Sequence, residues 1–102
     1  MSKSITIEPA NEIIGMMLRA ARLRAGKTLD DVRAATGIDK GQLSKAERGK
    51  VPITVVNLIE IAAFLGVSPG SLFPRHGMSL DDARELAAVE LKAAERARRT
   101  MS

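Results

Sequence analysis

The stretch that decides the fold is "TLDDVRAATGIDKGQLSKAERGK", residues 28–50, which contains the signals for two short helices in succession. Thr28 and Asp39 are residues of the type that caps helix N-termini, and each stands just before a helical segment. Gly37 and Gly49 follow those segments, and glycine commonly ends a helix because it adopts left-handed backbone angles without strain. The stretch therefore predicts two short helices with a tight turn between them.

The two predicted starts are reinforced by the residues three positions after each cap. Asp31 and Gln42 occupy the capping-box position, from which a side chain reaches back to the N-cap. Two short helices joined by a turn at residues 36–39 form a helix-turn-helix, a motif that fits one helix into a DNA major groove. We expect that helix to cover residues 40–48.

The predicted helix 40–48 has one apolar face and one basic face. At about 100° per residue, Leu43, Ala46 and Glu47 share the side that must face the other helices. The opposite side holds Gly41, Ser44, Lys45 and Arg48, with Lys40 and Gln42 on its flanks. These groups can donate to base edges or phosphates, and a bare glycine backbone permits close approach. The ordinary alternative is a solvated basic face, since most surface lysines contact only water.

The composition predicts an all-α fold in one small domain. The chain has 102 residues, of which 45% are hydrophobic and only 2% aromatic. A core of Leu, Ile, Val, Ala and Met suits packing of helix on helix better than a sheet. A net charge of +4 and a pI near 10.0 favour an anionic partner, although the charge is moderate.

Enzyme activity and metal binding are not expected from this sequence. It has no cysteine and a single histidine, His76, which we expect to be a solvated loop residue. One histidine cannot build a metal site, and no nucleophile has a base and an orienting group beside it. We therefore predict a protein that is not an enzyme and uses no cofactor or metal. The sequence shows no apolar run long enough for a membrane span, so we expect a cytoplasmic, nucleoid-associated protein.

Periodic apolar residues predict further helices on either side of the motif. The predicted helices run from the N-cap Asn11 to Gly26 and from the N-cap Thr54 to Gly66. The segment "VSPGSLF" predicts a short helical turn that packs Leu72 and Phe73 against the body. We divide the chain into an arm (1–10, with a short alternating pattern that could form a strand), a helix-turn-helix domain (11–74), a linker (75–78) and a C-terminal helix (79–100).

The C-terminal helix is predicted to begin at Ser79, with Asp82 at the capping-box position. Its expected apolar stripe consists of Leu86, Val89, Ala93 and Ala97, extended by Leu80 and Ala83. This thin stripe could pack on the chain's own helices, against a protein partner, or against a second copy. A dimer is favoured because helix-turn-helix proteins gain specificity from two half-sites. The basic segment "ERARRT" is typical of a frayed helix end, and the sequence alone does not assign it to DNA.

Over residues 14–73 the sequence resembles the Xre/Cro family, the phage-repressor-like helix-turn-helix domains. The matching stretches are "IGMMLRAARLRAG", "TLDDVRAATGI", "LSKAERGK" and "LIEIAAFLGVSPGSLF". The resemblance implies a compact bundle of five helices that binds a double-stranded DNA operator as a homodimer. The C-terminal helix is additional to that bundle.

The resemblance also implies roles for individual residues. The base-reading positions correspond to Lys40, Gly41, Gln42, Ser44 and Lys45. The phosphate-contacting positions correspond to Thr28, Arg33, Arg48 and Lys50, and a structural ion pair corresponds to Arg22 and Glu47. Such an Arg–carboxylate pair would fix the angle between two helices more than it would add stability.

The chain departs from the family pattern at three positions. Leu29 stands where glutamine is frequent, Arg33 where a small residue is usual, and Gly41 supplies no base-reading side chain. An arginine at position 33 could extend outward to a phosphate or could widen the gap between the two helices. The leading hypothesis is a sequence-specific, dimeric repressor of transcription. The alternative is a protein-interaction module of the same fold, an anti-activator or an antitoxin, with weak or no DNA binding.

Overall fold

The computed structural model describes residues 8–75 and 77–101, with only the backbone of Met101. Within these residues all regular secondary structure is helical, which confirms the predicted all-α class. The helices are α1 (Pro9–Arg24), α2 (Leu29–Thr36), α3 (Lys40–Glu47), α4 (Val55–Leu65) and α5 (Leu80–Met101), with a 3₁₀ turn (Pro69–Leu72) between the last two. None of the helices in this part of the chain combines the length and apolar character needed to cross a bilayer.

The predicted N-caps of α2 and α3 and the glycine that ends α2 are present in the structure. Thr28 Oγ1 accepts from Asp31 N–H at 3.0 Å, and Asp31 Oδ2 accepts from Thr28 N–H at 2.8 Å. Asp39 Oδ2 accepts from Gln42 N–H at 3.1 Å at the start of α3. Gly37 has a φ of 78°, the left-handed conformation that turns the chain from α2 towards α3. Local side-chain chemistry therefore accounts for the boundaries of this motif.

Two predicted helix boundaries are wrong. Helix α1 begins at Pro9 with Glu8 as its N-cap, so Asn11 is the third residue of the helix and caps nothing. Proline suits the first helical position because its fixed φ is already helical and its missing N–H has no partner there. Helix α3 ends at Glu47 with Arg48 as its C-cap, one residue short of the predicted 40–48. The strand considered for the arm lies in residues 1–7, outside the described residues, as does His76.

The main core is shared by α1, α2, α3, α4 and the 3₁₀ turn. Its buried side chains are Leu18, Val32, Leu43, Leu58, Ile61, Ala62, Leu65 and Leu72. The prediction for Leu72 is confirmed, since it is 1% exposed, but the prediction for Phe73 is wrong, since it is 42% exposed. Phe73 has extended backbone angles directly after the 3₁₀ turn, so its side chain points away from the side that Leu72 occupies.

Helix α5 packs along α1, outside the main core. Its Ser79 cap is confirmed by the Asp82 N–H, which donates to Ser79 Oγ at 3.1 Å. The buried side chains on α5 are Ala83, Ala87 and Ala94, and Ile13 of α1 packs against the first two. The predicted stripe is therefore largely wrong: Leu86 is half-buried, and Leu80, Val89, Ala93 and Ala97 are exposed. Alanines form the contact because their small side chains let two helices approach closely, whereas Val89 faces solvent.

Candidate nucleic-acid interface

Helix α3 presents a single outward face that carries the residues predicted to read bases. Its inward residues Leu43 and Ala46 are 4% and 7% exposed, and they pack into the bundle. The outward residues are Lys40, Gly41, Gln42 and Lys45, all exposed, and Ser44, which is half-buried. Because α3 has only eight residues, this face forms one short surface, of a size that a major groove admits.

Gly41 leaves its backbone exposed, and it also lies close to the side chain that caps α3. A Cβ at this position would stand 3.0 Å from Asp39 Oδ2, the carboxylate oxygen that caps α3. That distance is tighter than ordinary van der Waals contact, so a side chain at position 41 would require the Asp39 carboxylate to shift by a few tenths of an ångström. The glycine thus serves the start of α3 and leaves bare backbone on its outward face.

An acidic side chain links α2 to the start of α3. Asp30 Oδ1 lies 3.3 Å from Lys40 Nζ and 4.0 Å from Arg33 Nε. Arg33 is exposed on the outside of α2, so of the two predicted outcomes the structure has the outward arginine. Both ion pairs are exposed to solvent, where such pairs contribute little and exchange readily for another anion.

The residues predicted to contact phosphate fall in two places. Arg33 lies on α2 and Thr28 is the N-cap of that helix, while Arg48 and Lys50 are exposed at the end of α3. The Thr28 N–H and hydroxyl are already engaged in the capping box, and Arg48 Nε donates to the Ser44 carbonyl at 3.3 Å. The outward face of α3 is therefore flanked by cations on both sides.

The structure brings Arg22 and Glu47 together as a bidentate pair. Arg22 Nε donates to Glu47 Oε2 at 2.7 Å, and Arg22 Nη2 donates to Glu47 Oε1 at 2.9 Å. Arg22 is 7% exposed, and its Nη1 also donates to the Lys27 carbonyl at 2.9 Å. Arg19 Nη1 lies 3.7 Å from Glu47 Oε1 and adds a second positive charge. This network holds the end of α3 against α1 and the turn that follows α1.

The glycine that sets the distance between α1 and α3 was missed in the sequence. A Cβ at Gly15 would stand 2.7 Å from the Glu47 carbonyl oxygen and would also collide with the Ala46 carbonyl. Helix α1 can lie this close to the end of α3 only because position 15 has no side chain. The available signal was a glycine inside a helical pattern with no capping role, which usually has a packing reason.

The first turn of α2 has an electrostatic feature of its own. The pKa of Asp31 is lowered from its ordinary value of 3.8, mainly because the Thr28 backbone N–H donates to the carboxylate. The Thr28 side chain lowers it further, and the positive charges of Lys27 and Arg98 contribute after that. Arg98 belongs to α5, so the end of the C-terminal helix lies close to the start of α2.

The outward basic face of α3 is chemically suited to binding an anionic partner. Across residues 8–75 and 77–101, no three His, Cys, Asp or Glu side chains are grouped so as to hold a metal ion. Short helices, a tight turn and one outward basic face on the second helix define the helix-turn-helix class of DNA-binding regulators.

Comparison with known proteins places the chain in that class. The chain belongs to the helix-turn-helix family, whose sequence profile matches residues 18–72. It is 37% identical over 57 residues to y4dJ, an uncharacterized HTH-type transcriptional regulator of Sinorhizobium fredii, over 56% of this chain and 74% of that protein. The relatives that the chain matches are regulators and not enzymes, which confirms the prediction that the protein is not an enzyme.

Two solved structures have the same fold. The restriction-modification controller protein C.AhdI of Aeromonas hydrophila matches with a TM-score of 0.59 and 27% identity, over 62% of this chain and 96% of its own. The clp gene regulator ClgR of Corynebacterium glutamicum matches with a TM-score of 0.64 and 26% identity, over 91% of this chain and 92% of its own. The match to ClgR covers 91% of the chain and so includes much of α5. The match to C.AhdI covers 62%, which is about the length of the helix-turn-helix domain without α5.

Proposed function

We propose that the protein is a dimeric repressor that places α3 in the major groove of a double-stranded DNA operator. In this proposal the base-reading residues are Lys40, Gly41, Gln42, Ser44 and Lys45, and the phosphate-contacting residues are Thr28, Arg33, Arg48 and Lys50. The observation that supports it most is the single outward basic face of α3, held at a set angle by Gly15 and the buried Arg22–Glu47 pair. Such a repressor would act in the cytoplasm, at the nucleoid.

The chemistry of the outward face suggests which bases it reads. A lysine suits the O6 and N7 acceptors of guanine, and a glutamine suits the N6 and N7 edge of adenine. Lys45 and Gln42 are exposed on α3 and would supply these contacts. Lys40 would reach DNA by exchanging its exposed ion pair with Asp30 for a base or a phosphate.

A second copy of the chain would complete the DNA-binding unit, which would be a dimer. Helix α4 exposes three large apolar side chains on one side, Val55 (66%), Val56 (65%) and Ile59 (49%). Exposed apolar patches mark interaction surfaces, and a two-fold dimer buries the same patch on both copies. We propose that this face of α4 pairs with itself and sets two α3 helices about 34–36 Å apart. Replacing Val56 with glutamate should then yield a folded monomer in sedimentation equilibrium.

In the proposed function each predicted segment of the chain has a role. Residues 11–74 would bind DNA, residues 75–78 would be a linker, and residues 79–100 would brace α1 or support dimerisation. Residues 1–10 would be an arm, although α1 already begins at Pro9.

The first test is selection of bound duplexes from a random DNA library with the full-length protein at moderate salt. An inverted repeat with half-site centres about 10 base pairs apart is the expected result. If no sequence is enriched while circular dichroism shows a folded, helical protein, the proposal of a sequence-specific repressor is wrong.

A second test separates base reading from phosphate contact. Lys45→Ala should reduce discrimination at one or two base pairs of the selected site, because its partner is a base edge. Lys50→Ala should weaken binding to all duplexes by a similar factor, because its partner is the backbone. Equal behaviour of the two variants across a panel of point-mutated sites would contradict this division of roles.

A second candidate function is that of a protein-interaction module of the same fold, an anti-activator or an antitoxin. The apolar face of α4 favours it, as does Asp30, which places negative charge beside Lys40. In an antitoxin, the exposed Val89 on α5 would be part of the surface that meets a partner. Salt separates the two functions: DNA binding falls steeply as salt rises, whereas a complex made through an apolar patch does not.

A further inference from the structure

Helix α5 lies outside the part of the chain that matches the helix-turn-helix family, and it packs along α1. Three ion pairs attach it to α1: Arg84 to Glu12 (3.0 Å), Arg24 to Glu90 (2.7 Å) and Arg19 to Glu95 (3.5 Å). Residues near the starts of both helices meet at one end of the contact, and residues near their C-termini meet at the other. The two helices therefore run in the same direction, and the end of α5 reaches the turn between α1 and α2.

The side chain that occupies this turn is Arg98. Its Nη1 lies 3.9 Å from the position that a Cβ on Gly26 would take. Gly26 is two residues before Thr28, the N-cap of α2, so the guanidinium lies beside the start of α2. Arg98 comes one helical turn after the buried Ala94, which keeps it on the side of α5 that faces α1, but it is exposed to solvent.

The start of α2 is in turn adjacent to the start of α3, the helix proposed to enter the major groove. Asp30, in the first turn of α2, lies 3.3 Å from Lys40 at the start of α3. The first turn of α2 therefore lies next to Lys40, and Arg98 lies beside the turn that precedes the same helix. When a helix-turn-helix binds DNA, its first helix crosses the sugar-phosphate backbone while its second enters the groove. Arg98 therefore lies beside the start of the helix that would cross the backbone in such a complex.

The charge of this end of α5 suits the same partner. Residues 92–99 contain four cations (Lys92, Arg96, Arg98 and Arg99) and one carboxylate, Glu95. Glu95 Oε2 lies 3.5 Å from Arg19 Nε of α1. Asp31, near Arg98, accepts from the Thr28 N–H as part of the capping box. Neither carboxylate is positioned to bind the Arg98 guanidinium as a bidentate partner.

We propose that Arg98 is a phosphate-binding residue, through which α5 extends the DNA contact from the helix-turn-helix onto the backbone that flanks each half-site. The inference rests on the proposed function, since it requires that α3 occupy the major groove. It assigns to the C-terminal helix a direct part in holding DNA, in addition to its packing on α1. Arginine suits this task because its planar guanidinium can donate two hydrogen bonds to one phosphate.

The test compares Arg98→Gln with Arg96→Gln in the full-length protein. Both changes remove one positive charge from the same turn of α5, so they alter net charge equally. Arg96 lies about 200° around the helix from the buried Ala94, on the side that faces away from α1. Circular dichroism and thermal unfolding of both variants establish that the fold is retained.

Affinity is measured as a function of salt on the duplex that the wild-type protein selects. Each phosphate contact contributes a slope of about −0.9 to the dependence of log K on log salt. Between about 50 and 200 mM salt, the wild-type protein should therefore lose about threefold more affinity than Arg98→Gln. Arg96→Gln should keep the wild-type slope. On a duplex trimmed to the outermost base pair of each half-site, wild type and Arg98→Gln should have the same slope.

The outcomes separate this inference from the proposed function. If the wild-type protein binds its selected duplex but the slopes for Arg98→Gln and Arg96→Gln are equal, Arg98 does not contact phosphate and the repressor proposal stands. If Arg98→Gln lowers the slope equally on the trimmed and the flanked duplex, the contact is not to flanking backbone and the inference is wrong. If the wild-type protein binds no duplex at all, both proposals fail.

Discussion

Helix α1 has two neighbours, α3 and α5, and it holds them by different means. Towards α3 the contact is made by backbone at Gly15 and by the Arg22–Glu47 pair, whose side chains are each 9% exposed. Towards α5 it is made by alanines and by ion pairs that remain in solvent, such as Arg84–Glu12 with side chains 58% and 28% exposed. Arginine–carboxylate pairs are therefore buried where α1 meets α3 and exposed to solvent where α1 meets α5.

The difference in burial between the two sets of ion pairs means that α3 is held more rigidly against α1 than α5 is. A buried, bidentate pair is costly to break because each partner would leave a charge without solvent. An exposed pair can open to water at little cost. Helix α3 is thus held at a set angle, while α5 is attached by contacts that salt and small substitutions can loosen.

The largest expected effect comes from breaking the buried pair. Arg22→Met should lower the free energy of unfolding by about 3 kcal/mol, because Glu47 keeps a buried charge and the Lys27 carbonyl loses a donor. Denaturant unfolding monitored by circular dichroism measures the loss. The double variant Arg22→Met/Glu47→Leu should lose less than the single one, since it leaves no unpaired carboxylate. A single variant as stable as the wild-type protein would show that the pair does not hold α3.

The next effect tests the close approach of α1 and α3. Gly15→Ala should cost about 2 kcal/mol, because the new methyl group would meet the carbonyl oxygens of Ala46 and Glu47. In an unobstructed helix the same change would stabilise by up to about 1 kcal/mol. The control is Gly70→Ala, whose methyl group would find its nearest neighbour, Ser68 Oγ, at an ordinary 3.6 Å. Gain of stability in Gly15→Ala would contradict the described contact.

A smaller effect is expected on the α5 side. Arg84→Gln should lower the free energy of unfolding by about 0.5 kcal/mol, because its pair with Glu12 is largely exposed. Urea unfolding at low salt and at about 1 M salt provides the measurement, since urea adds no ions and salt screens exposed pairs. The loss should disappear at high salt. A loss as large as that of Arg22→Met would show that the exposed pairs on the α5 side of α1 contribute as much to stability as the buried pair on the α3 side.

The smallest effect concerns the pH dependence of the α2 cap, next to the end of α5. The pKa of Asp31 is lowered in the folded protein, so its contribution to stability is present above the ordinary pKa of 3.8 and is lost as pH falls through the lower folded value. Asp31→Asn should therefore melt below the wild-type protein at neutral pH, and the difference should shrink as pH falls below 3.8. A difference that is the same at all pH values would show that the charge of Asp31 plays no part.

The local features of the fold could be read from the sequence. The caps at Thr28 and Asp39 depend on residues three positions away, and the glycine that follows α2 acts through its own φ angle. These interactions are complete within one turn of helix, so they need no knowledge of the rest of the molecule. The same applies to the outward face of α3, because helical periodicity alone separates Leu43 from Lys45.

The contacts between distant segments were decided by tertiary structure. Periodicity on α5 predicted a stripe made of Leu86, Val89, Ala93 and Ala97, extended by Leu80 and Ala83. Of these only Ala83 is buried, and the other buried alanines, Ala87 and Ala94, lie outside the predicted stripe. In a helix rich in alanine several faces have similar apolar content, so the neighbour that lies closest determines which one is buried. The sequence by itself thus determined where the helices of the motif begin and which side of α3 is basic. Only the tertiary structure decided that Gly15 sets the spacing of α1 and α3 and that Arg98 lies beside α2, because these positions are far apart in the chain and meet only when the helices pack.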